Sequence, residues 1–199
     1  VNSVSTVRFL TSQWLLPNDR CGRLMDVGVV AVIGAGTMGA GIAQICAQSG
    51  WETRLFDAFP DGLDKGMAAI DGFWDKGIER GKTTAAQKAE WSANLSQHSE
   101  MAEAVAGADL VIEAVPEIIE LKRSIFADLE RLAPSHAILA TNTSGLPISD
   151  IASATGCPDR IIGMHFFNPV PIMKLLELVR HDACSDATIA AAQSIGSAM

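Results

Sequence analysis

Between Val29 and Gln44 an unbroken apolar run, Val29-Val30-Ala31-Val32-Ile33, meets the turn Gly34-Ala35-Gly36-Thr37-Met38-Gly39 and opens into a helical pattern that stops near Gly50. The run reads as a buried strand, and Met38, Ile42, Ile45 and Cys46 fall at helical spacing behind it. Few folds accommodate this arrangement. Gly34 permits the tight exit from the strand, Gly36 lets the backbone approach a pyrophosphate, and Gly39 lets the helix pack closely on the strand. The helix opened by Thr37 and Met38 offers unpaired N–H groups and a positive dipole end to phosphates. A second apolar run ends at Asp57, 21 residues after Gly36. G-x-G-x-x-G alone is a weak signal; in this strand–helix–strand–acid setting it is a dinucleotide fingerprint. The expected fold class is α/β, a Rossmann-like, doubly wound, mostly parallel sheet with a helical insertion after the second strand.

Asp57 narrows the cofactor. An acid at that position accepts both hydroxyls of an adenosine ribose and repels the 2′-phosphate of NADP. The next basic residue is Lys65, eight positions on, so no arginine stands beside Asp57 for that phosphate, and NAD is the expected cofactor.

The chain of 199 residues allows one domain or one and a fraction, and a hydrophobic content of 48% supplies its core. A net charge of -8 argues against a nucleic-acid-binding surface or a general affinity for anionic membranes. No apolar run approaches the roughly 18 residues of a membrane span. Cys21, Cys46, Cys157 and Cys184 lack CxxC spacing and no His joins them in a ligand cluster, so no metal site is expected and a reducing, cytoplasmic setting fits. Residues 1–24 carry Ser, Thr, Asn and Arg without clear periodicity. They read as an N-terminal extension foreign to the native protein, with Met25 as the natural start; a transit peptide is the rival reading.

After the second strand, Pro60 to about Arg80 forms a long amphipathic helix with Met67, Ile70, Phe73, Trp74 and Ile78 on one side, and Thr84 can cap a second helix. Lys65, Lys76, Arg80 and Lys82 lie on this insertion, each more readily a solvated charge than a ligand contact. A weak strand near Leu95 and a short helix from Met101 follow. Buried strands are expected over 108–115, ending at Pro116-Glu117, and over 137–140, ending in Thr141-Asn142-Thr143-Ser144-Gly145, with an amphipathic helix over 118–132 between them. Ligands sit outside the carboxyl ends of such strands. A further strand delivers His165 next to the turn at Pro169, and another, over 173–179, carries Glu177. His98, His136 and His181 read as surface residues. A last helix starts near Ser185.

With these residues assembled, the chain resembles the NAD-binding domain of the L-3-hydroxyacyl-CoA dehydrogenase family, and within it the 3-hydroxybutyryl-CoA dehydrogenases. The resemblance runs from about Val27 to Val179 and is carried by VAVIGAGTMGAGIAQ, ADLVIEAVPE followed by Lys122, TNTS, and GMHFFNPVPIMKLLELV. Related carnitine and sugar-acid dehydrogenases usually place proline after the histidine, where this chain has Phe166. The resemblance implies NAD-dependent oxidation of an L-3-hydroxyacyl-CoA in fatty-acid or related metabolism. It implies His165 as the base, Glu177 as the carboxylate that orients it, and Ser144 as the hydroxyl that meets the substrate oxygen. Glu117, Lys122, Asn142 and Ser144 would surround the nicotinamide ribose and ring, and Lys76 would correspond loosely to a CoA-contacting lysine.

Family members continue for about another hundred residues as a helical domain that closes over the acyl chain and carries most of a homodimer contact. That domain, and the final strand of the nucleotide domain, are expected to be absent, leaving 25–199 as an NAD-binding domain that turns over substrate poorly. Two other readings stay open: a dehydrogenase of a non-CoA hydroxy acid, and a catalytically silent NAD-binding module.

Overall fold

Alternation along the first nucleotide-binding strand sets the architecture. Val30 and Val32 pack into one apolar cluster, Ala31 and Ile33 into another, and all are buried. A strand covered on both faces belongs in the middle of a parallel sheet flanked by helices. The computed structural model describes residues 5–10 and 27–199 and shows this sheet. Its strands are β1 (Ser5–Leu10), β2 (Val29–Ile33), β3 (Glu52–Phe56), β4 (Leu95–His98), β5 (Leu110–Glu113), β6 (Ile138–Thr141), β7 (Ile161–Phe166) and β8 (Leu175–Arg180), in the order β1-β8-β7-β6-β5-β2-β3-β4. Strands β7, β6, β5, β2, β3 and β4 are mutually parallel, and β8 is antiparallel to both β7 and β1.

The helices are α1 (Thr37–Gln48), α2 (Pro60–Glu79), α3 (Ala85–Ala93), α4 (Met101–Val105), α5 (Ile119–Leu132), α6 (Ile148–Ala152) and α7 (Asp186–Ala198). The apolar sides of α1, α2 and α7 cover one face of the sheet, and those of α4, α5 and α6 the other. The insertion is as expected: Pro60 opens α2, and Thr84 caps α3 in a reciprocal box with Gln87. Lys88 Nζ ties α3 back to α2 through Asp71 at 2.7 Å and Asp75 at 2.6 Å.

Strand order reverses between β2 and β5, which places the switch point of the sheet at Gly34 and Ala114, the residues that follow those strands. Ser5–Leu10, in the segment read as lying outside the fold, pairs along the outer edge of β8. The remainder of 1–24, including the proposed start of the native chain just after it, lies outside the described residues. The histidines need correction. His136 is exposed, but His98 closes β4 half-buried, and His181 is buried with its Nε2–H donating to the Ile161 carbonyl at 3.1 Å. A polar residue just past a strand looks solvated in sequence; here the start of β7 supplies the acceptor.

Candidate active site

The glycine loop has the geometry its spacing implies. Gly34 has φ of 103°, and a Cβ there would stand 2.9 Å from the Ala114 carbonyl oxygen. At Gly39 a Cβ would lie 1.7 Å from the Gly34 carbonyl oxygen, so α1 packs against the loop at a distance only glycine allows. Gly39→Ala is therefore expected to lower stability by about 3 kcal/mol or more, read from the denaturation midpoint, because backbone and not a flexible side chain must yield. Gly36 differs: a Cβ there meets nothing within 4 Å. No packing among the described residues demands glycine at 36, and the open side faces a cavity of about 380 Å³ lined by Gly36, Thr37, Asp57, Phe59 and Lys65.

Asp57 anchors the far side of that cavity. Its Oδ2 accepts the Ala35 N–H at 2.7 Å and its Oδ1 accepts the Phe59 N–H at 2.9 Å. Each oxygen keeps a lone pair for a ribose hydroxyl, so the acid both braces the loop and presents its charge to the cavity. An open backbone turn, the N-terminus of α1 and a braced acid are the donor and acceptor set that a dinucleotide requires, and the residues present fit NAD.

On the other side of the switch point lies a buried ionic chain. Lys122, on α5, and Glu113, the last residue of β5, are both 0% exposed and pair at 2.7 Å. Glu113 Oε1 also accepts the Val115 N–H at 2.7 Å, and its Oε2 accepts the hydroxyl of Thr141, its cross-strand neighbour on β6, at 2.7 Å. Lys122 Nζ donates to the Val115 carbonyl at 3.3 Å and reaches Glu117 Oε2 at 3.5 Å. Glu117 Oε1 in turn accepts the Thr143 hydroxyl and the N–H groups of Ser144 at 3.0 Å and Gly145 at 3.2 Å.

Partial burial works against the Glu117 charge, but the bonds from Thr143, Gly145 and Ser144 and the Lys122 ammonium outweigh it, and its pKa lies below the ordinary 4.5. The unfolded chain therefore binds more protons than the folded one in the window below 4.5, and the stability Glu117 supplies above that window is lost as pH falls through it. Glu117→Gln is expected to flatten the fall in denaturation midpoint on acidification there.

The last components come from an antiparallel pair. His165 on β7 and Glu177 on β8 are directly opposite in register, and His165 Nδ1 bonds Glu177 Oε2 at 2.9 Å. The imidazole is 21% exposed and the carboxylate 13%. A carboxylate only accepts, so Nδ1 carries a proton, and in the neutral ring the lone pair is on Nε2. Phe167 packs against the ring at a centroid distance of 4.5 Å. Asn142 joins this pair to the glycine side of the sheet: its N–H donates to the Glu113 carbonyl at 2.8 Å, and its Oδ1 accepts the Phe166 N–H at 2.8 Å.

Residues 29–199 match the family described as 3-hydroxyacyl-CoA dehydrogenase, NAD binding domain. The chain belongs to the 3-hydroxyacyl-CoA dehydrogenase family. It is 42% identical over 164 residues to a probable 3-hydroxybutyryl-CoA dehydrogenase of Bacillus subtilis, covering 82% of this chain and 57% of the relative. It is 43% identical over 159 residues to the 3-hydroxybutyryl-CoA dehydrogenase of Clostridioides difficile, covering 80% and 56%. The crystal structure of (S)-3-hydroxybutyryl-CoA dehydrogenase from Ralstonia eutropha superposes with a TM-score of 0.84 at 38% identity, over 87% of this chain and 61% of that one. The chain thus spans little more than half the length of these family members. The matched region is the family's NAD-binding domain, and NAD is the cofactor it takes.

The family's expected site residues fall into three groups in the structure. Gly34, Gly36, Thr37, Met38, Gly39 and Asp57 form or brace the loop; Glu117, Asn142 and Ser144 follow the carboxyl ends of β5 and β6, and His165 pairs with Glu177 near the carboxyl end of β7. Lys122 lies beneath the rim and acts on it through Glu117. Lys76 is not brought in: it is exposed near the C-terminal end of α2, about 24 Å along the helix from its start at a rise of 1.5 Å per residue. Sequence reasoning missed Glu113 and Thr143. Glu113 had a signal, since the one acid inside the apolar run Leu110 to Val115 demands a buried partner. Among the described residues no His, Cys, Asp and Glu side chains group as a metal site, and no helix is long and apolar enough to cross a membrane.

Proposed function

We propose that this protein takes part in the NAD-dependent oxidation of an L-3-hydroxyacyl-CoA to the 3-ketoacyl-CoA, in fatty-acid or related acyl-CoA metabolism. The observation that carries the reading is His165 held by Glu177 at 2.9 Å, beside Asn142 and the switch point that holds the nucleotide loop. When bound, NAD supplies the acceptor for the hydride leaving C3 of the substrate. The 3-hydroxyl proton passes to Nε2 of His165 as the C3–O bond becomes a carbonyl. Glu177 fixes the ring through Nδ1 and stabilises the imidazolium that forms. The Ser144 hydroxyl, on the loop that Glu117 pins, steadies the substrate oxygen.

The test is NADH formation from L-3-hydroxybutyryl-CoA, compared with its D enantiomer and with free 3-hydroxybutyrate, alongside NAD binding by calorimetry. Selective use of the L-thioester supports the proposal. Equal use of the free acid would instead identify a non-CoA hydroxy-acid dehydrogenase. NAD binding without oxidation of any hydroxyacyl substrate would identify a silent binding module. The intact His165–Glu177 pair favours the enzyme over that module, because binding alone needs no oriented base. The same reading places the protein in the cytoplasm as a homodimer acting on a small-molecule thioester. Light scattering measures the dimer, and the net charge of -8 supports a protein that engages neither nucleic acid nor anionic membrane.

A further inference from the structure

Asp57 is eight residues from the nearest downstream basic side chain in sequence, which argued that nothing stands ready to receive a 2′-phosphate. The fold removes that separation. Asp57 ends the approach from β3, the chain turns at Phe59, and the first turns of α2 bring Lys65 back to the cavity that Asp57 lines. The return is tight. A Cβ at Gly66 would stand 2.7 Å from the Ala35 carbonyl oxygen, and one at Gly62 would stand 3.3 Å from Asp57 Oδ1. The small face of α2 therefore rests on the glycine loop and on the acid, and Lys65 lies between these two glycines in sequence. Lys65 is the one basic residue lining that cavity, and it enters no hydrogen bond or ion pair among the described residues. The Asp57 carboxylate, by contrast, is already braced by two backbone N–H groups.

We propose that Lys65 is a second determinant of cofactor choice, a cation that receives a phosphate on the 2′ edge of the adenosine ribose and so weakens the exclusion imposed by Asp57. This rests on the adenosine site assigned above. Discrimination between NAD and NADP is then a balance of two opposite charges on one cavity: the carboxylate favours the free 2′-hydroxyl, and the ammonium favours the phosphorylated one. Lysine suits the second role because its ammonium is a compact point charge on a flexible stem. Phe59, 75% exposed on the same cavity, offers ring surface to the adenine and is blind to the 2′ substituent.

The experiment is calorimetric titration with 5′-AMP and 2′,5′-ADP, which share the adenosine and differ in the 2′-phosphate. Lys65→Met, an exposed position, is expected to weaken 2′,5′-ADP about tenfold, as the loss of one charge-assisted contact does, and to change 5′-AMP by less than about twofold. Lys65→Arg should retain binding of 2′,5′-ADP. The same pair of measurements in an Asp57→Asn background, where the repelling charge is gone, should show the Lys65 effect undiminished. Phe59→Ala should weaken both ligands alike. An unchanged ratio of the two affinities on losing Lys65, in both backgrounds, overturns the proposal, as does a Phe59→Ala effect confined to 2′,5′-ADP. Failure of the unsubstituted protein to bind 5′-AMP overturns the adenosine site itself, an outcome separate from the ratio.

Discussion

Replacing His165 with glutamine is expected to lower kcat for L-3-hydroxybutyryl-CoA by about 10²- to 10⁴-fold while NAD affinity stays within about twofold. The asymmetry follows from where the residue sits. Its ring faces Glu177 on β8 and Phe167, just past the end of β7, whereas the glycine loop and Asp57 follow β2 and β3. Glutamine keeps a hydrogen-bonding group of similar reach, so Glu177 retains a partner and the sheet is not left with a stranded carboxylate. What disappears is the ring-nitrogen lone pair that can take the hydroxyl proton. Glu177→Gln removes orientation and charge support from the ring and should cost less than the loss of the base. Steady-state kinetics on the two variants, with NAD affinity from calorimetry, separates these contributions. A His165→Gln protein with unchanged kcat would remove His165 from the mechanism.

The second large effect concerns folding. Glu113 and Lys122 are each wholly buried and 2.7 Å apart. Removing either alone leaves an uncompensated charge in the interior, with an expected loss of about 3–5 kcal/mol. Glu113→Leu and Lys122→Met should each approach that value in chemical denaturation. The double substitution should recover much of it, because apolar groups of similar volume need no partner. The recovery will be incomplete, since Glu113 also accepts from Thr141 and from the Val115 backbone. NAD affinity should not recover with stability, because Lys122 also supports Glu117, which pins the backbone of Ser144 and Gly145. A double variant that is both stable and fully competent in binding would show the chain to be scaffolding alone.

Strands β2 to β8 and both long helices were legible in the sequence because each depends on short-range pattern, whereas β1 was not expected and the pairing of His165 with Glu177 came from the family resemblance. Val29 to Ile33 is apolar throughout and α2 repeats at helical spacing; the register that sets His165 opposite Glu177 is seen only in the sheet. The illegible parts depend on which strands become neighbours. Thr141 meets Glu113 only because β6 lies beside β5, and Lys122 looked like a rim residue because nothing in its own helix shows what lies beneath. His181 was misjudged for the same reason: its acceptor, Ile161, is 20 residues away on another strand. Lys65 shows the converse, a sequence separation that the fold cancels.

The register between β7 and β8 has a consequence for how such a protein can diversify. His165 and Glu177 are aligned by the backbone ladder on which they sit, not by the connection over residues 167–174. That connection carries Ile172 and Met173, both exposed apolar side chains. These two exposed positions can therefore change while the His165–Glu177 pair keeps its alignment, whereas Val170 in the same connection is buried in the core. Surface variation and the alignment of the pair thus fall to two adjoining stretches of one hairpin, and a change at an exposed position of the first need not be repaired in the second.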